Sequence, residues 1–358
     1  MKKIAVVFGG SSVEHDVSIV TGLQCINNLT DFYKIYPIYL TKDNKFFLSN
    51  HLKPKDYLNK EEVVKKSKEV SFFNNALYKA KKNSLKKLAD LDGVINCCHG
   101  GVGENGILCS YLQMNNLKTS SANCFSSAIC MNKHATKLWV REVNIPVVDW
   151  VYVDKANHDK IDFKNLNDNI IIKANGLGSS IGVIKSNKEK LNEDLMKVLH
   201  LDDSAVVENC ILDMEEFNCA VLRKGDDICL SLIEKPASKS DILSFEDKYC
   251  SVKSKREIPA KISKELESKI YEYSKKIYES LGLSGVVRID YIYDKSNEIL
   301  YMNEVNTIPG SLAFYLFEGL GIDYAMLCDI LLENAKIDIK KETYFESDIL
   351  TITSFHIK

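Results

Sequence analysis

Near its start the chain passes twice from an apolar strand, through a glycine-rich break, into a helix. Ile4–Phe8 ends at Gly9-Gly10 before one helical pattern, and Leu91–Cys98 leads through a glycine-rich turn into a second helix from about Ile107. The first helix carries three apolar residues on one stripe: Val13, Val17 and Val20. Strands that alternate with helices predict a parallel sheet that binds ligands at the carboxyl ends of its strands.

The length of 358 residues predicts two or three domains. Boundaries near Ser120-Ser121 and after Glu208 divide the chain into three predicted units, 1–121, 122–208 and 209–358. Residues 51–90 are rich in lysine and have few strong signals, which favours a solvated, variable region. Further elements are predicted from apolar runs and periodicity: strands at Ile35–Leu40, Pro146–Val153, Ile170–Lys173, Ile181–Ile184, Val206–Glu208, Glu216–Leu222, Cys229–Ile233, Val286–Tyr293 and Ile299–Val305, and helices at Asn132–Val143 and from Ile262 to Leu281.

Charge and composition exclude several functional classes. The formal charge of -2 gives no basic field for a nucleic acid, and no apolar run approaches the ~20 residues of a membrane helix. The five apolar residues after Met1-Lys2-Lys3 are too few for the core of a signal peptide. The 11 cysteines are scattered and include no Cys-x-x-Cys pair, which argues against zinc. We therefore expect a cytoplasmic protein without nucleic-acid or membrane partners.

The last strand pair carries the most informative polar residues. Alternation places Arg288 and Asp290 on one face, while Glu304 and Asn306 share a face of the returning strand. A turn near residues 296–298 would set Asp290 opposite Glu304. A solvated sheet face with an incidental ion pair is the alternative, but four converging polar residues favour a functional site. Carboxylate and amide oxygens suit Mg²⁺, and the lack of His and Cys argues against zinc.

A glycine- and serine-rich loop, residues 176–182, lies between two predicted strands. Its glycines would let backbone N–H groups approach a phosphate, although a simple hairpin turn explains the loop equally well. Lys173 ends the preceding apolar strand, where it is either a phosphate ligand or a lysine that snorkels to solvent. Lys133 is a second, weaker candidate for a phosphate ligand.

Two polar residues of the first unit are further candidates. Glu14 begins a helix just after Gly9-Gly10, where a carboxylate either favours the helix dipole or binds a ligand. His99 ends a buried strand beside a glycine-rich turn. A lone histidine is usually structural, and only the adjacent glycines favour a functional role.

Taken in order, these segments resemble the D-alanine–D-alanine ligases of the ATP-grasp superfamily. The resemblance runs from Lys3 to about Phe317 and is carried by Phe8-Gly9-Gly10-Ser11-Ser12-Val13-Glu14-His15-Asp16-Val17-Ser18, His99-Gly100-Gly101-Val102-Gly103-Glu104-Asn105-Gly106, Met131-Asn132-Lys133, Lys173 with Leu177-Gly178-Ser179-Ser180-Ile181-Gly182, Arg288-Ile289-Asp290 and Asn303-Glu304-Val305-Asn306-Thr307-Ile308-Pro309-Gly310. It implies a mixed α/β and α+β fold with a three-domain ATP-grasp architecture. The N-terminal domain would be Rossmann-like, with a parallel sheet.

The resemblance also implies a role for each matching residue. The catalytic set is Glu14, which anchors the ammonium of the first D-alanine, with Ser179, Tyr249, Arg288 and Gly310. The substrate contacts are His99, Lys248, Ser311 and Leu312. The ATP ligands are Lys133, Lys173, Ser180, Glu208 and Glu216. The ligands of two Mg²⁺ ions, which Mn²⁺ could replace, are Asp290, Glu304 and Asn306.

The implied reaction joins two D-alanines with ATP, through an acyl phosphate, to the dipeptide used in peptidoglycan precursors. The implied assembly is a homodimer. Residues 236–254 are polar but carry Phe245 and Tyr249, which predicts a mobile loop that closes over the site. A ligase that uses D-serine, or less favourably D-lactate, as the second substrate is an alternative. A non-catalytic ATP-binding module is a further alternative. A nucleotide-binding dehydrogenase is disfavoured because G-x-G-x-x-G is absent.

The chain departs from the family pattern at a few places. Ala174 stands where the family usually has Pro, and Asn105 and Asn132 replace common Asp residues. The segment after Gly310 is shorter than in many members, which affects the alignment of Ser311 and Leu312.

Overall fold

In the computed structural model, residues 1–81, 84–237, 256–335 and 337 are described, and they contain three β-sheets. The first sheet has seven strands: β1 (Lys3–Gly9), β2 (Lys34–Leu40), β3 (Phe46–Leu48), β4 (Lys68–Phe73), β5 (Ala76–Lys81), β6 (Ser84–Asp90) and β7 (Gly93–Asn96). Their order is β6-β5-β4-β3-β2-β1-β7. Strand β1 pairs in parallel with β2 and β7, which confirms the predicted parallel sheet at its centre.

The alternation of β1 explains why this sheet is covered on both faces. Ile4, Val6 and Phe8 face one core, and Ala5 and Val7 face the other, and all five side chains are fully buried. A strand buried on both sides reads as a continuous apolar run, which is how the sequence presents it. The polar residues that follow β1 therefore emerge at the carboxyl edge of a rigid sheet.

The interpretation of residues 51–90 as a solvated region was wrong. Strands β4, β5 and β6 extend the sheet with antiparallel pairs, and a short helix, Lys60–Lys66, precedes them. Val70 and Phe72 are buried at alternate positions of β4, next to exposed lysine and glutamate. The lysines occupy the solvent-exposed face of a half-buried sheet. Because they dominate the sequence there, the alternation of buried apolar and exposed polar residues was not recognised.

Nine α-helices lie within the described part of the chain: His15–Leu29, Lys60–Lys66, Gly101–Glu104, Ile107–Met114, Cys124–Met131, Lys133–Glu142, Leu191–Leu201, Lys264–Ser280 and Tyr324–Asn334. Three 3₁₀ segments accompany them: Pro54–Leu58, Gly310–Leu316 and Glu318–Leu320. The first helix was predicted, but of its predicted stripe only Val17 is buried. Val13 and Val20 are 45% and 52% exposed, whereas Ile19, Leu23 and Ile26 pack on the sheet.

The second and third sheets have four strands each. The second sheet, in the order β10-β9-β11-β8, consists of β8 (Trp150–Asp154), β9 (Asn169–Ala174), β10 (Val183–Asn187) and β11 (Ser204–Asn209). The third, in the order β13-β12-β14-β15, consists of β12 (Met214–Lys224), β13 (Asp227–Leu230), β14 (Val287–Asp294) and β15 (Ile299–Asn306). All pairs in these two sheets are antiparallel.

Two segments pack against a different domain from the one to which the sequence assigned them. The helices over 124–142 contribute Cys130 and Val140 to the core of the third sheet, not of the second. The helix Tyr324–Asn334 returns to the first sheet, where Leu332 Cδ2 fills the space in which Gly93 has no side chain. The three sheets are thereby joined into one molecule. Among the described residues no helix has the length and apolarity needed to cross a membrane.

Candidate functional site

A cavity of about 730 Å³ opens where the three sheets meet, a size typical of small-molecule sites. Most of the predicted site residues line it: Glu14, Lys133, Lys173, Ser179, Ser180, Glu208, Glu216, Arg288, Asp290, Glu304, Asn306, Gly310 and Ser311. His99 and Leu312 lie behind its wall, since both are buried and neither lines it. Lys248, Tyr249 and all but the first two residues of the loop 236–254 fall outside the described residues.

The hairpin of β14 and β15 forms the polar floor of the cavity. Its register places Asp290 opposite Glu304 and Arg288 opposite Asn306, as the alternation predicted. Arg288 donates two hydrogen bonds to Asp290, from Nε to Oδ1 at 2.7 Å and from a terminal nitrogen to Oδ2 at 2.8 Å. Asn306 Nδ2 donates to the same Oδ2 at 3.0 Å. Arg288, Asp290 and Asn306 thus form one hydrogen-bonded unit, and Glu304 lies beside it, opposite Asp290.

A β-bulge in this hairpin brings in Asn303, a residue that the alternation argument missed. The register shifts between Asp290 and Tyr291, which pair with Glu304 and Met302, so that Asn303 has no partner in the ladder. Asn303, Glu304 and Asn306 consequently all line the cavity. A strict period of two would have turned Asn303 away, and the sequence carries no signal for the bulge except the adjacent polar pair 303–304.

Each cavity lysine already contacts a carboxylate. Lys173 Nζ donates to Glu208 Oε2 at 2.8 Å and to Asn303 Oδ1 at 2.9 Å. Lys133 Nζ lies 3.3 Å from Glu304 Oε1 and donates to the carbonyl of Leu177 at 2.5 Å. Lys173 is therefore aimed into the cavity by two partners rather than snorkelling to solvent. Both lysines line the cavity and can meet an anion there.

Glu208 is held between two cations. Lys137 Nζ, which the sequence analysis did not single out, lies 3.2 Å from its Oε1, and both side chains are almost fully buried. Burial alone would raise the pKa of Glu208, but Lys137 and Lys173 hold that pKa below its ordinary value. Glu208 therefore stays ionised and fixes the geometry of both lysines.

The glycine- and serine-rich loop is both a hairpin turn and a wall of the cavity. It connects the antiparallel strands β9 and β10, and Ser179 and Ser180 have φ angles of 53° and 59°. The Ser179 hydroxyl donates to Glu14 Oε1 across the cavity. A Cβ on Gly178 would lie 2.6 Å from Glu14 Oε2, so the close approach of the loop to Glu14 requires glycine there.

Glu14 directly precedes the helix His15–Leu29 and is 8% exposed. Its backbone N–H donates to Ser12 Oγ at 3.0 Å, while its carboxylate turns toward the loop of the second sheet. A carboxylate that served only the helix dipole would not need this orientation. The arrangement can accept a cationic group between Glu14 and the serine loop.

His99 lies behind the cavity and contacts the wall rather than the open space. Its Nδ1 donates to the carbonyl of Ile308 at 2.6 Å, and its Nε2 accepts from Thr21 Oγ1 at 2.8 Å. Burial lowers the pKa of His99, so the neutral ring with hydrogen on Nδ1 satisfies both contacts. Ser311 N–H in turn donates to Thr21 Oγ1 at 3.3 Å.

Glu104, which the sequence analysis had not selected, lies beside this histidine. Its Oε2 accepts from Gly100 N–H at 2.9 Å, and its Oε1 accepts from Ile308 N–H at 3.0 Å. Burial and the nearby Glu14 carboxylate raise the pKa of Glu104 to about 7. Its position in the glycine-rich turn was the only sequence signal that could have found it.

The donor set of the hairpin fits magnesium. Asp290, Glu304 and Asn306 offer only oxygen ligands, and two carboxylates with water and phosphate oxygens complete a typical Mg²⁺ site. In the described part of the chain no three His, Cys, Asp or Glu side chains converge into a cage for a metal. Magnesium does not need such a cage, whereas a structural zinc would. Arg288 and Lys133 balance the two carboxylates in the protein alone.

Comparison with known proteins covers nearly the whole chain. Residues 3–121 match the family described as D-ala D-ala ligase N-terminus, and residues 139–333 match D-ala D-ala ligase C-terminus. The D-alanine--D-alanine ligase of Thermosipho melanesiensis is 35% identical, over 98% of this chain and 99% of that protein. The ligase of that name from Helicobacter pylori is 33% identical, over 94% of this chain and 96% of that protein.

Solved structures show the same architecture. The crystal structure of a D-alanine-D-alanine ligase from Helicobacter pylori superposes with a TM-score of 0.80 at 29% identity, and covers 93% of this chain and 98% of that one. The VanG D-Ala:D-Ser ligase from Enterococcus faecalis superposes with a TM-score of 0.78 at 27% identity, with the same coverage.

Proposed function

The chain belongs to the D-alanine–D-alanine ligase family, and from this premise we propose that its cavity residues divide the ligase reaction into two steps. The enzyme uses ATP and Mg²⁺ to join two D-alanines to D-alanyl-D-alanine for peptidoglycan synthesis. The observation that supports the assignment of residues is the convergence of cations, carboxylates and a glycine-rich loop from all three sheets on one cavity.

In the first step the carboxylate of one D-alanine takes the γ-phosphoryl group of ATP and becomes an acyl phosphate. Lys133 and Lys173 would neutralise the phosphate oxygens, and Ser180 would lie in the loop over them, since all three residues line the cavity. Asp290, Glu304 and Asn306 would hold Mg²⁺, which supplies positive charge to the transferring phosphoryl group when bound. Glu208 and Glu216 would contact the nucleoside end of ATP.

Glu14 orients the first D-alanine. Its carboxylate accepts the Ser179 hydroxyl and would pair with the substrate ammonium, which fixes the substrate carboxylate toward the lysines and the hairpin. Such fixed orientation contributes to rate because the reacting atoms need not be brought together by diffusion.

In the second step the amine of the other D-alanine attacks the acyl carbonyl, and phosphate leaves. Negative charge develops on the former carbonyl oxygen, and the Arg288 guanidinium with the Gly310 N–H would stabilise it. Both groups line the cavity on adjacent elements, β14 and the 3₁₀ segment Gly310–Leu316. Ser311 would contact the second substrate, whereas Leu312 packs in the core behind it.

The loop 236–254 would close over the acyl phosphate and exclude water, with Lys248 on the second substrate and Tyr249 near Ser179 and Glu14. This part of the proposal rests on the sequence pattern and the family resemblance, since the loop lies almost wholly outside the described residues. We also propose a homodimer and a cytoplasmic location, the compartment in which ATP is available. Light scattering of the purified enzyme tests the dimer.

D-serine as the second substrate is not favoured, because the relatives with 33–35% identity over nearly the full length are D-alanine--D-alanine ligases. A non-catalytic module is not favoured either, because Arg288, Asp290, Glu304 and Asn306 are all present in the cavity.

One experiment tests the proposed function. Phosphate release from ATP is measured with D-alanine, L-alanine, D-serine and D-lactate, and the products are identified by mass. We expect release with D-alanine alone and a product with the mass of D-alanyl-D-alanine. A mixed product with D-serine at equal rate would overturn the choice of substrate.

A further inference from the structure

The backbone of Ile308, two residues before Gly310, is hydrogen-bonded at both its N–H and its C=O by side chains from loops of the first sheet. The N–H of Ile308 donates to Glu104 Oε1 at 3.0 Å, and the C=O of Ile308 accepts from His99 Nδ1 at 2.6 Å. Thr307 Oγ1 adds a longer contact to Glu104 Oε1 at 3.4 Å. Residues about two hundred positions apart in the chain thus hold the backbone just before Gly310.

The same loops hold the backbone just after Gly310. Ser311 N–H donates to Thr21 Oγ1 at 3.3 Å, and the Thr21 hydroxyl donates to His99 Nε2 at 2.8 Å. Ser311, Leu312 and Ala313 follow with φ angles of 51° to 53°, a conformation that is unfavourable for residues other than glycine and persists only where its surroundings impose it. Gly310 therefore lies between two anchored residues in a turn that would not keep its shape by itself.

Glu104 can accept two backbone N–H groups because both polar atoms of its side chain are oxygens. Its two oxygens each accept one backbone N–H, from Gly100 and from Ile308. An amide of the same size has one acceptor oxygen and one NH₂ group, so one of the two N–H groups would face a donor. A buried N–H without an acceptor is unfavourable, so the substitution would displace the segment.

We propose that Glu104, with His99 and Thr21, is a positioning residue that clamps Ile308 and Ser311 and thereby aims the Gly310 N–H at the developing oxyanion. None of the three needs to touch the reacting atoms. The inference deepens the proposed function and rests on its assignment of the Gly310 N–H. It assigns His99 to the clamp rather than to direct contact with the first D-alanine.

The test compares Glu104→Gln with Glu142→Gln, an exposed glutamate at the end of the helix Lys133–Glu142. A misplacement of about 1 Å can cost about 10²-fold in rate. We expect kcat of Glu104→Gln to fall between 10- and 10²-fold, with the Kd for ADP and the KM for ATP within twofold of wild type. The Kd for a phosphinate dipeptide analogue, bound with ATP, should weaken by the same factor as kcat/KM. Glu142→Gln should match wild type throughout.

A second variant, Thr21→Val, tests the same clamp in case Glu104→Gln fails to fold. Thr21→Val keeps the shape of the side chain but removes the hydroxyl between His99 and Ser311, and it should lower kcat in the same direction. Amide hydrogen exchange over residues 307–311 should accelerate at least tenfold in Glu104→Gln, with no change in the strands β12 and β14. This measurement needs no turnover, so it still tests the clamp if the wild-type enzyme makes no D-alanyl-D-alanine.

Two outcomes would overturn the inference. If exchange over 307–311 is unchanged, Glu104 does not hold the segment. If kcat falls only together with an equal weakening of ADP binding, Glu104 supports the structure in general and does not specifically orient the Gly310 N–H. The same conclusion follows if Glu104→Gln and Thr21→Val both unfold.

Discussion

Three sets of charged side chains at the cavity are paired with one another in the protein alone. Arg288 binds Asp290, Lys133 approaches Glu304, and Lys173 with Lys137 encloses Glu208. Binding of ATP and magnesium would therefore exchange partners rather than add charge to an unpaired site. Single substitutions in this set leave one ion without its partner, which costs more than the pair contributes.

At the residue scale, Glu304→Gln should abolish turnover while the protein stays folded. Removal of one carboxylate weakens the magnesium site, and the Lys133 pair is lost as well. Binding of Mn²⁺ in the presence of ADP, followed by electron paramagnetic resonance, should weaken at least tenfold. Glu298→Gln, at the exposed turn between β14 and β15, is the matched control. Normal Mn²⁺ binding by Glu304→Gln would contradict the metal assignment.

Arg288→Lys tests the oxyanion role. Lysine keeps the charge but loses the planar fork that makes two bonds to Asp290. Loss of an oxyanion donor typically costs about 10²–10³-fold in kcat, so we expect a decrease in that range with ATP binding retained. Arg223→Lys, which lies outside the cavity and donates to the carbonyl of Asp226, should behave as wild type. Full activity of Arg288→Lys would make Arg288 a structural residue.

At the scale of elements, the bulge in β15 decides which residues reach the cavity. Asn303→Ala should raise the KM for ATP about tenfold, because Lys173 loses a hydrogen bond and bonds to charged groups contribute roughly 1.5–3 kcal/mol. Steady-state kinetics with varied ATP measures it. Asn192→Ala, on the exposed side of the helix Leu191–Leu201, is the control. An unchanged KM would mean that Glu208 alone orients Lys173.

The sequence was most informative where one periodicity ran unbroken. The register of Asp290 opposite Glu304 followed from alternation and the turn near residues 296–298, and the helix Lys264–Ser280 followed from its apolar spacing. Asn303, Lys137 and Glu104 were not predicted as site residues, because a bulge, a buried ion pair and a contact across two hundred residues leave no local pattern. Strands β4 to β6 were not predicted either, because lysines on the exposed face outweighed Val70 and Phe72.

At the scale of the whole molecule, one hydrophobic core joins the first strand to the last described helix. Phe8 and Ile95 of the first sheet pack in the same core as Leu316, Phe317 and Leu327. The Tyr33 hydroxyl also donates to Asp329 on the last described helix. The first and third sheets should therefore unfold together rather than as independent domains.

Leu327→Ala tests this coupling. Truncation of a fully buried leucine costs about 2–5 kcal/mol. In urea, far-ultraviolet circular dichroism and the fluorescence of Trp139 and Trp150 should shift together to lower denaturant. Met326→Ala, on the same helix but 43% exposed, should change stability by less than about 0.5 kcal/mol. Two separated transitions in wild type would show that the sheets fold independently.

The return of the helix Tyr324–Asn334 to the first sheet has a consequence for synthesis on the ribosome. Strands β1 and β7 are translated early, but the helix that covers part of their apolar face emerges more than two hundred residues after β7. At a translation rate of about 5–20 residues per second, that apolar face is without the helix for roughly 10–50 s. During this interval the nascent N-terminal sheet exposes apolar surface at Ile95, Cys97 and the gap at Gly93 that the folded protein buries.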